Sequence, residues 1–231
     1  MKKLISVLAV AGAAASAVSG ALLAGDTAFW FASAASALLC CVPFFLSFEG
    51  RAPSAGELVL VAVMTAFSAA GRFIFAPLPF FKPVAAIVII TGRHFGAQAG
   101  FMTGALSAVI SNFWFGQGPW TPFQMLCWGL IGAAAGLAAR LGMPDKPLPM
   151  CIFGVAAGIA YSFMMDVWTV LSMNGSFAPG LWISAIVSAL PVTGIYCVSN
   201  AVFLLILCKP LGKRLERLKT KYGVFQTGLP E

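Results

Sequence analysis

Charge is what this sequence has least of. Only 9% of its 231 residues are Asp, Glu, Lys or Arg, while 60% are hydrophobic; soluble domains carry about a quarter charged residues. That leaves too little polar surface for a fold surrounded by water, which excludes the ordinary soluble classes and points to a multi-spanning membrane protein. Histidine is nearly missing too. The single one, His94, is too few for a His-based zinc site or a facial triad. The six cysteines (Cys40, Cys41, Cys127, Cys151, Cys197 and Cys208) are scattered through apolar runs without zinc or CxxC spacing. They read as small apolar residues with free thiols. No Walker-type phosphate loop and no nucleophile elbow occurs, and neither a metal site nor a covalently bound cofactor is expected. The apolar runs lack strand-like alternation, so helices are expected rather than a barrel.

Apolar segments are what the chain does have. Eight can be drawn, over about residues 4–24, 28–48, 57–76, 83–96, 98–115, 122–141, 148–171 and 181–208, with Gly and Pro concentrated between them. A spanning helix needs about 20 residues, so 83–96 is short and should tilt, break or run on into the next segment. With eight alternating spans and both termini inside, Lys2, Lys3, Arg51, Arg93, Arg140, Lys146 and six tail residues lie inside, twelve in all. The outside then holds only Lys82, and Arg72 falls within a span. This is a strong positive-inside signal. It also places the net charge of +7 at a membrane flank rather than in a nucleic-acid-binding face. The expectation is an all-α polytopic membrane protein. Residues 1–25 also resemble a secretory signal peptide, with a basic start and an apolar middle; an uncleaved hairpin is preferred because another apolar run follows Asp26 at once.

Chemistry concentrates in the expected outer turns. Residues 111–124, SNFWFGQGPWTPFQ, pack two Trp, three Phe, two Pro and several amides with no charge. Uncharged donors and acceptors among aromatic faces suit a neutral or weakly charged ring-bearing solute; the alternative is an interfacial aromatic belt. Arg72 is costly inside a span and must find a partner, a cavity or the headgroups. It is expected to pair with Asp166, the only acidic residue in the last six segments apart from Glu57 at the first position of 57–76, or to line one polar pocket with it. Snorkelling to the interface is the other reading. Asn200, deep in the last segment, reads as a helix–helix hydrogen bond. Ala62, Ala66 and Ala70 stand four apart and form a small-residue stripe, for packing within the chain or for docking a partner subunit.

The segments FKPVAAIVIITG (81–92), GAQAGFMTGALSAVISNFWFGQG and GPWTPFQMLCWGLIGAAAGL (118–137) resemble a substrate-specific S component of an energy-coupling factor (ECF) vitamin transporter. The likeness covers about residues 56–208. It implies a six-helix S-component core over residues 51–208, which leaves 1–50 as an N-terminal two-helix membrane extension and 209–231 as a basic cytoplasmic tail. It implies a non-enzymatic, multi-pass protein of the bacterial plasma membrane that binds a vitamin or cofactor precursor from outside. Its partners would be a transmembrane coupling subunit and two ATPase subunits, with the alanine stripe as the docking face. The binding site would lie around Arg72, Phe80, Lys82, Asn112, Trp114, Gln117, Trp120, Gln124, Asp166 and Asn174. The turn at 118–124 is most like those of cobalamin-type S components, so cobalamin is the expected cargo. Queuosine precursors, riboflavin and other vitamins stay open, as does a free-standing secondary transporter, although neither inverted repeats nor several buried ionisable groups are evident.

Overall fold

The computed structural model describes residues 26–225, with side chains described from Ala34 onward. Seven helices and no strand are found among the described residues. They are α1 (Asp26–Gly50), α2 (Ala55–Ile74), α3 (Val84–Phe95), α4 (Ala97–Phe115), α5 (Thr121–Arg140), α6 (Pro147–Asn174) and α7 (Pro179–Tyr222). Four of them, α2, α5, α6 and α7, are each long and apolar enough to cross a membrane. The chain is therefore a polytopic helical membrane protein. The expected count of eight spans is carried only this far: the first segment, residues 4–24, and its reading as a signal peptide lie outside the described residues.

The short segment breaks. Gly96 alone separates α3 from α4, at φ 89°, a left-handed conformation that glycine adopts without strain. At 12 residues, α3 is about 18 Å long, well short of the roughly 30 Å hydrocarbon core. It need not span, because it hardly meets lipid. Ala86, Val88, Ile89 and Ile90 are fully buried among the other helices, so the apolar run is there to build the protein interior. The last helix departs the other way. Its 44 residues measure about 66 Å, roughly twice the hydrocarbon core, so the basic stretch after Cys208 continues the same helix to Tyr222.

Glycine sets the central packing. A Cβ on Gly132 would come within 2.3 Å of the Gly100 carbonyl oxygen, and one on Gly100 within 2.4 Å of the Gly132 oxygen. Gly92 of α3 faces the same Gly132 carbonyl, and Gly104 the Trp128 carbonyl. Backbones of α3, α4 and α5 thus touch directly. In lipid, where hydrophobicity gives helices little reason to associate, close van der Waals approach of this kind holds them together. Helix α1 lies against this core, with Phe44 stacked on the buried Phe101 of α4 at 3.9 Å between ring centroids. Helix α2 starts with a capping box: Ser54 Oγ accepts from Glu57 N at 3.3 Å, and Ser54 N donates to Glu57 Oε2 at 3.2 Å. The stripe of Ala62, Ala66 and Ala70 is exposed on α2, so packing within the described chain does not use it.

Candidate binding site

Alternation of the helices brings the end of α2, the start of α3, the end of α4 and the start of α5 to one end of the bundle. Between them and the inner faces of α6 and α7 is a cavity of about 430 Å³, lined by Arg72, Phe80, Lys82, Phe115, Gln124, Trp128, Tyr161, Tyr196 and Asn200 among others. Such volumes are in the range of small-molecule sites.

Arg72, in the last turn of α2, is the centre of the polar wall. Its guanidinium donates to Asn112 Oδ1 at 2.7 Å and to Ser111 Oγ. It also lies 4.5 Å from the Phe115 ring centroid and 5.2 Å from that of Trp128, both within cation–π range. Among the described residues it makes no ion pair with a carboxylate. The buried Asn112 passes the connection on, donating to Thr121 Oγ1 at 3.0 Å and Gln124 Oε1 at 2.8 Å. Thr121 Oγ1 donates to Gln117 Oε1 at 3.0 Å, and Gln117 Nε2 to the Val109 carbonyl at 2.8 Å. The polar groups of the 111–124 turn therefore mostly build the turn. Gln124 is the one that reaches the cavity.

The loop before α3 supplies the second cation. Lys82 Nζ donates to the carbonyls of Phe75, of Ala76 at 3.1 Å and of Leu78 at 2.6 Å, where the end of α2 leaves carbonyls without helical partners. Burial, and after it the nearby Arg72 guanidinium, push Lys82 below the ordinary lysine range. Ser199 Oγ of α7 donates to the Lys82 carbonyl at 2.9 Å and holds the loop down. Within that loop Phe80 has φ 60°, uncommon and costly for a bulky residue. Its ring meets Tyr196 edge-on at 5.9 Å. Tyr196 is edge-on to Tyr161 at 5.1 Å, and Tyr161 stacks on Trp128 at 5.5 Å with 9° between planes. Aromatic faces thus run across α5, α6 and α7 beside an arginine and two amides, Gln124 and Asn200. Flat ring systems carrying hydrogen-bond acceptors are what such a surface can hold.

Of the residues expected from sequence, Arg72, Phe80, Lys82 and Gln124 line the cavity, and Asn112 stands directly behind Arg72. The others fall elsewhere. Trp114 is 71% exposed and packs edge-on against Phe73, because it points outward from the last turn of α4. Trp120 covers Gly118, whose Cβ position lies 2.3 Å from its ring. Gln117 is spent inside the turn, and Asn174 bonds Ser176 within its own loop. The expected pairing of Arg72 with Asp166 does not form: the guanidinium turns to α4, and Asp166 is buried on α6 with Oδ2 unpartnered among the described residues. Asn200 does make the expected interhelical bond, Nδ2 to the Gly154 carbonyl at 2.9 Å, and lines the cavity as well. Sequence reading missed Phe115, Trp128, Tyr161 and Tyr196. One signal was available for the last two: the chain has three tyrosines against twenty phenylalanines, and a hydroxyl inside a span is spent where something polar can meet it.

A polytopic helical bundle with a ring-lined, polar-anchored cavity at one end has room for a small molecule within its helices. The family model for the ECF-type riboflavin transporter, S component, matches residues 53–217, and the chain belongs to that family. No curated protein and no solved structure matches it. The family is one of transporters, not enzymes, and it implies partnership with ECF module subunits. The expected cobalamin-type specificity is not carried by this match, whose description names riboflavin.

Proposed function

We propose that this protein is the substrate-binding subunit of an ECF-type importer and that its cargo is riboflavin or a closely similar flat heteroaromatic. The cavity of about 430 Å³, with the Trp128–Tyr161–Tyr196 rings facing Arg72, is the observation that carries this reading. An isoalloxazine ring offers a broad π-face for those rings and, where a carbonyl oxygen stands beside a ring nitrogen acceptor, a pair of acceptors for a guanidinium fork. A corrinoid, with its macrocycle and many amide arms, matches a cavity of about 430 Å³ less well than a tricyclic ring does. The polar chain of riboflavin would meet Gln124 and Asn200 near the cavity wall.

The distribution of basic residues favours the cavity end as the outer face, with both termini of the chain on the inner side of a bacterial plasma membrane. Cargo then enters from outside. The exposed Ala62, Ala66 and Ala70 stripe is the docking face for the coupling subunit, which joins two ATPase subunits that supply the energy; this sequence holds no Walker-type phosphate loop. The test is a fluorescence-quenching titration of the detergent-purified chain with riboflavin, with cobalamin and queuine as competitors. Saturable quenching displaced by neither competitor is expected. Displacement by cobalamin, or no quenching at micromolar riboflavin, refutes the assignment of cargo.

A further inference from the structure

At the opposite end of the bundle lies a second cavity, of about 490 Å³ and of different chemistry. Four cations from four separate segments line it: Arg51 after α1, Arg93 near the end of α3, Arg140 at the end of α5 and Lys219 on α7. Among the described residues no carboxylate lines it. Glu57 and Asp145 hold Arg51 and Arg93 at 3.5 Å and 3.0 Å, whereas Arg140 makes no ion pair among the described residues.

One further feature faces the same space. Helix α4 begins there, at Gly96, Ala97 and Gln98. Gly96 provides no side-chain cap, and the first bond within the helix is Gly100 N to Gly96 O at 3.0 Å. The N–H groups of the first turn are therefore left without helical partners, at the positive end of a 19-residue helix. The wall also contains His94, whose side chain is 7% exposed; its Nδ1 lies 3.5 Å from Glu216 Oε2 and its Nε2 faces Gly212 of α7, so it adds no free donor to the cleft. Four cations and a helix N-terminus, with no carboxylate among the lining residues, are an arrangement suited to an anion.

We propose that this cleft is a binding site for a phosphate group, held by Arg140 and Arg93 together with the amide groups that open α4. Guanidinium forks and helix N-termini both match an oxyanion with several acceptor oxygens, and the volume admits a phosphodiester or phosphomonoester headgroup. Two sources share that chemistry, an anionic lipid of the surrounding leaflet and a soluble phosphoryl compound.

The experiment uses the full chain in two arms. In the first, the protein is taken from vesicles of mixed phosphatidylglycerol and phosphatidylcholine into native mass spectrometry, and retained lipid is counted. In the second, melting is followed in neutral detergent with added pyrophosphate. Loss of one charge-assisted contact should weaken binding about tenfold or more. Preferential retention of phosphatidylglycerol, lost in Arg140→Glu and reduced in Arg140→Gln but kept in Lys213→Gln/Arg214→Gln, supports the site and assigns it to lipid. The double variant removes exposed charge outside the cleft. Stabilisation by pyrophosphate in the wild type and not in the Arg140 variants, without lipid preference, supports the site and assigns it to a soluble ligand. Neither effect in the wild type, or effects that both Arg140 variants leave intact, overturns the proposal. Size-exclusion and melting of each variant without ligand establish that it is folded. Riboflavin quenching reports on the cavity at the other end, so the two sites stand or fall separately.

Discussion

Replacing Arg72 by glutamine separates ligand binding from stability in a way the structure lets one work out. The guanidinium makes two charge-assisted hydrogen bonds, to Ser111 and Asn112, and lies over two rings. Its loss leaves Asn112 Oδ1 without this donor at a residue only 1% exposed, a penalty of about 1–3 kcal/mol. Against that, a half-buried cation without a carboxylate partner carries a desolvation cost of several kcal/mol that the variant no longer bears. The two offset, so the melting temperature of the apo protein should move by only a few degrees. Ligand affinity has no such compensation. One charged hydrogen bond to the cargo is worth about 1.5–3 kcal/mol, roughly a 12- to 150-fold rise in Kd. Arg72→Lys keeps the charge but not the planar fork and should fall between. The assay is riboflavin fluorescence quenching, with melting measured on the same preparations. A folded Arg72→Gln protein whose Kd stays within twofold of wild type would refute the placement of Arg72 against the ligand.

Trp114→Ala should leave riboflavin affinity within about threefold by the same titration, because that ring faces away from the cavity. Gly132→Ala forces a Cβ against the Gly100 carbonyl and should destabilise the apo protein by about 1–3 kcal/mol, read as a lowered melting temperature in detergent. Ala66→Leu projects from the exposed stripe of α2 and should abolish co-purification with the coupling and ATPase subunits. The same variant should bind riboflavin like the wild type; if it still assembles normally, the docking face lies elsewhere.

How much was legible in the sequence differs from one residue to the next. Arg72 and Lys82 could be picked out because a cation in or beside an apolar span is conspicuous wherever it points. Gln124 came with its turn. Trp114 and Trp120 were conspicuous for the same reason yet do not line the cavity, since composition marks a turn as unusual without saying which way its rings face. Trp128 lies inside a run that reads as plain apolar helix, and nothing local distinguishes its ring, turned to a cavity, from one turned to lipid; for Tyr161 and Tyr196 the hydroxyl was the one signal.

Membrane class, helical character, the positions of the turns and the asymmetry of basic charge were determined by the sequence alone. Each depends on the free energy of putting short stretches of chain into hydrocarbon, which is a sum over local composition. Tertiary structure decided the rest. It set that α3 is an interior helix of half the spanning length, that Arg72 turns to Asn112 instead of Asp166, and that tyrosines from two distant helices meet Trp128. Those outcomes follow from how closely α3, α4 and α5 approach through Gly92, Gly100 and Gly132. That approach fixes the rotation of every helix, and with it which side chains share a cavity; no stretch of chain carries this information by itself.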